Sequence, residues 1–297
     1  MAKCTSPING YMKPGGGFTT KRTEGYGDVP VQVACGQCMD CRINRSLEWS
    51  IRIIHEAKMH DINSFLTLTY DDDNLPENLS LDKSHIRNFM KRLRKKIYPQ
   101  KIRYYLCGEY GDKTLRPHYH VIVFGYWPKD TKHYKNTVNQ DRLFKSKELD
   151  KIWKKGFVTV GSVSPDSASY TAGYVTKKIT GNKADSHYNG REPEFATMSN
   201  RPGIGRQYYE KYKEEIWNSK SIIWKGKETA VPRYYYQRLK SDSPDHYDEV
   251  LKERLDKIKK KLWLNPMWKS LDEQERDFAF REKYTRLTHK QFKKSNI

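Results

Sequence analysis

The sequence predicts an α+β fold: a central antiparallel sheet with flanking helices and a helical C-terminal appendage. Three observations carry this. Strand-like and helix-like segments are interspersed along the chain rather than grouped. The runs IRYYLCGEYG and PHYHVIVFG are parted only by a short turn containing Gly111 and Asp112, which makes an antiparallel hairpin. Ile86, Phe89, Met90, Leu93 and Ile97 form one apolar stripe at helical spacing, the face a helix lays on a sheet.

Taken in order, residues 1–34 read as irregular, because Pro7, Gly10, Pro14 and Gly15–Gly17 break any period. From Cys38 the pattern turns helical, with Leu47, Ile51, Ile54 and Met59 near helical spacing and Arg42, Arg45 and Arg52 among them. SFLTLTY (64–70) is a strand by its β-branched and aromatic content, and the acidic DDDNLPEN after it is a loop. Ser80 is expected to cap the next helix, whose polar side carries Arg87, Lys91, Arg92, Arg94, Lys95 and Lys96 with few acidic partners. A helix at about 146–155 is expected to end on a Gly156 C-cap, with FVTVGSV (157–163) the next strand. SPDSASYTAGYVTKKITG reads as a helix with Ser164 as N-cap, Pro165 at its first position and Gly181 past its end. Beyond about 210, DEVLKERLDKIKKKLWL and DEQERDFAFREKYTRLTHKQF look like amphipathic helices bearing both charge signs. The expected division is an irregular segment with clustered cysteines at 1–45, a main domain at 46–209 and a basic helical region at 210–297.

Bulk composition narrows the partners. Fifty-six Lys and Arg against 36 Asp and Glu give a net charge of +20, which suits a polyanion because such side chains displace counterions from phosphates. An aromatic content of 13% excludes a disordered chain. No stretch approaches the ~20 apolar residues of a membrane span, and MAKCTSPING lacks the apolar core of a secretory signal, so an intracellular protein is expected. No GxxxxGK[ST] loop is present, so unwinding is expected to come from another protein.

The candidate chemistry begins with RPHYHVIVFG. His118 and His120 stand two apart on a strand, hence on one face, and could both give a nitrogen to one divalent cation. If residue 110 pairs with 117 after the turn, 109 lies opposite 118, which makes Glu109 the carboxylate ligand. The same register sets Cys107 opposite His120 as a fallback, and a slip of one residue would turn Glu109 away. Tyr170 and Tyr174 sit four apart on the expected helix and emerge together, with Lys177 and Lys178 one turn on. A phenol becomes a competent nucleophile when a metal withdraws charge from a phosphate and a neighbouring Lys eases loss of the phenolic proton. Lys178 is the candidate for that, or for holding the DNA backbone. Arg87, Lys91, Arg94, Lys95, Arg116 and Lys177 are the candidate DNA contacts. Cys35, Cys38 and Cys41, spaced by two residues, could hold a structural zinc with Cys4 as fourth thiolate, an iron–sulfur cluster, or no metal. RPGIG (201–205) reads as a turn that a DNA backbone could approach, and Tyr208, Tyr209 and Tyr234–Tyr236 could stack on bases or fill the core.

These motifs resemble the HUH endonucleases that initiate rolling-circle replication, above all the two-tyrosine initiators of gokushovirus-type Microviridae phages. FLTLTY, CGQCMDCR, GEYGDKTLRPHYHVIVFG, YTAGYVTKK and NRPGIG carry the likeness, over roughly residues 30–206. It implies an RRM-like or ferredoxin-like sheet with the histidines on a central strand. It implies Mg²⁺ or Mn²⁺ on His118, His120 and an acidic third ligand matching Glu109. It further implies that Tyr170 or Tyr174 attacks single-stranded origin DNA to form a 5′-phosphotyrosine and free a 3′-hydroxyl, the other tyrosine serving the later cleavage and rejoining. Host helicase and DNA polymerase are the implied partners, in the cytoplasm of a host bacterium. A two-tyrosine transposase or plasmid initiator shares this site. A noncatalytic zinc-containing nucleic-acid binder is the reading of a different class.

Overall fold

The computed structural model describes residues 4–13, 17–27, 30–112, 114–138, 140–174, 178–179 and 184–253. They fall into two compact units, Ser46–Arg238 and the described residues on either side of it. No described helix is long and apolar enough to cross a membrane.

Outside Ser46–Arg238, residues 1–34 are more ordered than their prolines and glycines suggest. β1 (Ile8–Met12) pairs antiparallel with β2 (Phe18–Thr19) and with β3 (Pro30–Val33). The glycines make the meander possible: a side chain at Gly10 would meet Thr19 O at 2.3 Å. Helix α1 (Met39–Ala57) follows the cysteine cluster, one residue after the expected start.

The unit Ser46–Arg238 is built on a seven-stranded sheet in which every pairing is antiparallel. Its strands are β4 (Asn63–Tyr70), β5 (Arg103–Tyr110), β6 (Pro117–Phe124), β7 (Lys132–Asn136), β8 (Arg142–Lys145), β9 (Gly156–Gly161) and β10 (Phe195–Met198). Their spatial order is β10-β5-β6-β4-β9-β8-β7. The expected α+β class is therefore correct, and the histidine strand β6 sits inside the sheet. β7, β8 and β10 were not foreseen: KHYKN and FATM are short, and β7 is wholly exposed with a bulge between His133 and Lys135.

Alternation sorts side chains onto two faces. Leu66, Leu68, Leu106, Tyr119, Val121 and Val123 point to one, where α2 (Lys83–Lys96) and α3 (Lys147–Trp153) cover them with Phe89, Leu93 and Trp153. Tyr105, Ile122 and Phe124 point to the other, beneath Ile53 of α1 and Ala168 and Ala172 of α4 (Pro165–Gly173).

Three local expectations change. The N-cap of α2 is Asp82, which accepts from Ser84 N at 2.6 Å, while Ser80 Oγ instead receives Glu192 N. α3 closes on Lys154, held left-handed at φ 62°, and Gly156 opens β9. Gly156 is required there by contact, since at φ 136° a Cβ would meet Thr69 O at 2.3 Å. α4 starts as expected, with a Ser164–Ser167 capping box and Pro165 first, but ends at Gly173; Gly181 lies outside the described residues.

A short helix α5 (Ala184–Tyr188) precedes β10. The region after 210 includes most of α6 (Arg206–Ser219) and all of α7 (Arg233–Asp242). Between them runs a hairpin of β11 (Ser221–Trp224) and β12 (Lys227–Ala230), so this stretch is not wholly helical. The amphipathic helices expected beyond 253 lie outside the described residues.

Candidate active site

The β5–β6 register is the one the turn implied: Tyr110 pairs with Pro117, Glu109 with His118 and Cys107 with His120. Glu109, His118 and His120 thus share one face, and a ligand atom from each lies within 4.8 Å of the others. His118 Nε2 and His120 Nε2 are 2.6 and 3.0 Å from Glu109 Oε1. The rings are aimed from behind. Nδ1 of His118 donates to the Arg116 carbonyl at 3.1 Å, and Nδ1 of His120 is 3.0 Å from Thr67 Oγ1 on β4. Such partners fix each imidazole with Nε2 toward a cation, so the donor set fits a hard divalent ion with open positions. Cys107 is buried beside His120 but stands outside this cluster. Burial alone would raise the Glu109 carboxyl, yet hydrogen bonds from His118 and His120 hold it down at about 2.

α4 brings both tyrosines onto the same spot. The Tyr170 ring meets His120 edge-on at 5.0 Å, the Tyr174 ring stacks on His120 at 5.4 Å with 5° between planes, and the two phenols meet at 4.8 Å. Tyr174 is buried and Tyr170 half-buried. Burial first, and then the negative charge of Glu109, push both phenols above their ordinary range. They are protonated at neutral pH, and either must lose its proton as it attacks.

The other candidates scatter. Lys178 is exposed in an irregular stretch, so the helical spacing that linked it to Tyr174 does not hold beyond Gly173; Lys177 lies outside the described residues. Arg116 is turned to Asp72 at 2.7 Å and the Tyr70 carbonyl at 2.8 Å. Arg87, Lys91, Arg94 and Lys95 are exposed on α2, which covers the sheet face opposite the histidines. Arg92 is committed to the carbonyls of Ile152 and Trp153, and Lys96 to Glu148. The basic residues ending α2 also suit the negative end of its dipole. Tyr209 and Tyr235 are buried against each other at 5.3 Å and are core residues.

In the smaller unit, Cys4, Cys35, Cys38 and Cys41 bring their sulfurs within 4.8 Å of one another. The Cys4–Cys35 and Cys4–Cys38 separations are 3.6 and 3.7 Å. A tetrahedral ZnS₄ centre with ~2.3 Å bonds has edges of about 3.8 Å, so the four thiols fit one metal. Burial raises Cys41 to about 12, while Cys38, against its own burial, is held near 6 by hydrogen bonds from Thr5 and Cys41.

A family model for the replication-associated protein ORF2 matches residues 63–179, which span β4 to the start of the segment after the tyrosines. The replication-associated protein VP4 of Bdellovibrio phage phiMH2K is 36% identical over 224 residues, covering 72% of this chain and 70% of its own. The chain belongs to the phage replication-associated proteins. It carries the family's gokushovirus-type initiator motifs, as its histidines and tyrosines suggested. Two further members of the family are similar to it. The replication-associated protein ORF2 of Spiroplasma virus 4 is 35% identical, covering 77% of this chain and 74% of its own. ORF4 of Chlamydia phage 1 is 34% identical over 80% of this chain and 63% of its own. No solved structure matches.

Proposed function

We propose that this initiator nicks and rejoins single-stranded origin DNA through Tyr170 and Tyr174. The observation that carries the reading is convergence: both phenol rings pack on His120, whose other neighbour is the Glu109–His118 pair. Glu109, His118 and His120 would hold Mg²⁺ or Mn²⁺, which when bound withdraws charge from a scissile phosphodiester. The chain's own residues supply the rest. One phenolic oxygen bonds to phosphorus as the bond to the 3′-oxygen breaks. The phenolic proton passes to a base, the freed 3′-oxygen takes a proton, and the strand remains as a 5′-phosphotyrosine. The second phenol, 4.8 Å away, takes over the strand at the later cleavage and rejoining. Lys178, with Lys177, is assigned to the phosphates of the bound strand, and Arg116 to fixing the turn that leads into the histidines. Host helicase and polymerase would unwind and extend the 3′-hydroxyl in the bacterial cytoplasm. With a single-stranded origin oligonucleotide and Mn²⁺, a covalent protein–DNA band is expected on a denaturing gel. A band unchanged in EDTA would remove the metal from this reading.

The cysteine cluster is proposed to hold one structural Zn²⁺ that ties Cys4 to the start of α1. Elemental analysis should find about one zinc per chain, lost on Cys38→Ser. Metal-free protein from zinc-replete medium would discard the assignment.

A further inference from the structure

The unit Ser46–Arg238 holds a second feature that the nicking chemistry does not use. A cavity of about 580 Å³ opens between α1, the loop 200–206 and α7, lined by Arg52, Arg201, Arg206 and Arg238 with Tyr234 and Gly203. Among the described residues, its lining includes no carboxylate. The nearest acid in contact, Glu210, is occupied by Arg206 Nε.

The walls are fixed before any ligand arrives. The Arg52 guanidinium lies between the rings of Trp49 and Tyr234, 4.0 and 3.9 Å from their centroids, and donates through Nε to Ile204 O at 3.1 Å. The loop is pinned from beneath by Arg103 to Pro202 O at 2.6 Å and by Gly205 N to Glu56 at 2.6 Å. Arg238 Nε is shielded from solvent and has no hydrogen-bond partner among the described residues. A buried guanidinium donor left unmade is costly, and an anion entering the cavity would satisfy it. Guanidinium forks match phosphate oxygens, and preformed ones bind with little ordering cost.

Position says which phosphate. Arg103 and Glu109 lie on the same face of β5, six residues apart, hence about 20 Å at ~3.3 Å per residue. Phosphates of a stacked strand follow every ~3.4 Å, so about six nucleotides cover that distance. We propose that this arginine cavity is an anchoring subsite for the backbone of the same DNA strand, gripping phosphates several nucleotides from the scissile bond. The proposal rests on the reading that single-stranded DNA is the substrate.

The test reads binding in EDTA, so that cleavage does not enter. A single-stranded oligonucleotide long enough to span both sites is titrated at several salt concentrations by fluorescence anisotropy. The plot of log K against log salt should become shallower by about 0.7 for each phosphate contact removed in Arg201→Gln and in Arg238→Gln. Arg238→Lys, which keeps the charge, should retain most of the slope, and thermal melts establish that the variants fold. Unchanged slope and affinity in both Gln variants would overturn the proposal. So would displacement of the oligonucleotide by a deoxynucleoside monophosphate through a site those variants lose, since the cavity would then serve a free nucleotide. Reduced slopes in a chain that forms no covalent adduct would leave the subsite standing and sink the nickase reading alone.

Discussion

Tyr170→Phe combined with Tyr174→Phe is expected to abolish covalent attachment to origin DNA, a fall of roughly 10³-fold or more. Phenylalanine keeps the rings, so the edge contact of Tyr170 and the stacking of Tyr174 on His120 survive, and only the hydroxyls go. Loss of the adduct would therefore report chemistry rather than collapse. Each single variant should still form an adduct through the remaining phenol, because both rings reach the same imidazole. Each should fail to release a rejoined circle, because two successive transfers need two hydroxyls. Mass spectrometry of the tryptic phosphopeptide reads which residue carries the strand. A persistent adduct in the double variant would show that the nucleophile lies elsewhere.

The largest expected loss of stability is at Glu56. This residue is fully buried on α1, takes Gly205 N on one oxygen and the Arg103 guanidinium on the other, and has His60 Nε2 at 3.5 Å. Glu56→Ala leaves Arg103 buried without its counter-charge and frees the loop 201–205. Breaking a buried pair in this way costs about 3–5 kcal/mol. For a domain of this size each kcal/mol shifts the midpoint by about 2–4 °C, so a fall in Tm of roughly 10 °C is expected by calorimetry. Glu56→Gln keeps the shape and the hydrogen bond from Gly205, and should lose less. A shift within error for Glu56→Ala would mean that solvent reaches the pair.

The part of the site legible in the sequence is the part governed by local counting. Gly111 and Asp112 mark a short turn, and once its length is known the pairing of Glu109 with His118 follows from the two-residue repeat of a strand. Ser164 and Pro165 announce the start of α4 by capping chemistry alone. What failed depends on distant neighbours. Nothing within DKSHIRNFMKRLRKK says which sheet face its apolar stripe will choose, and α2 covers the one away from His118 and His120. The end of α4 was missed because YVTKK continues the helical pattern that the fold interrupts after Gly173. Gly156 looked like a helix terminator, yet its need comes from the Thr69 carbonyl of another strand. The arginine cavity draws residues from three segments far apart in the chain, and only RPGIG hinted at it.

Among the described residues the sheet has two open margins, and neither invites another chain. β10 offers just four residues of backbone, Phe195–Met198. At the far margin β7 is fully solvated, carries Lys132 and Lys135, and is kinked by its bulge. Short, kinked and charged borders are poor templates for cross-molecule strand addition. Many copies crowded onto one stretch of DNA can thus stay separate molecules instead of zipping together rim to rim.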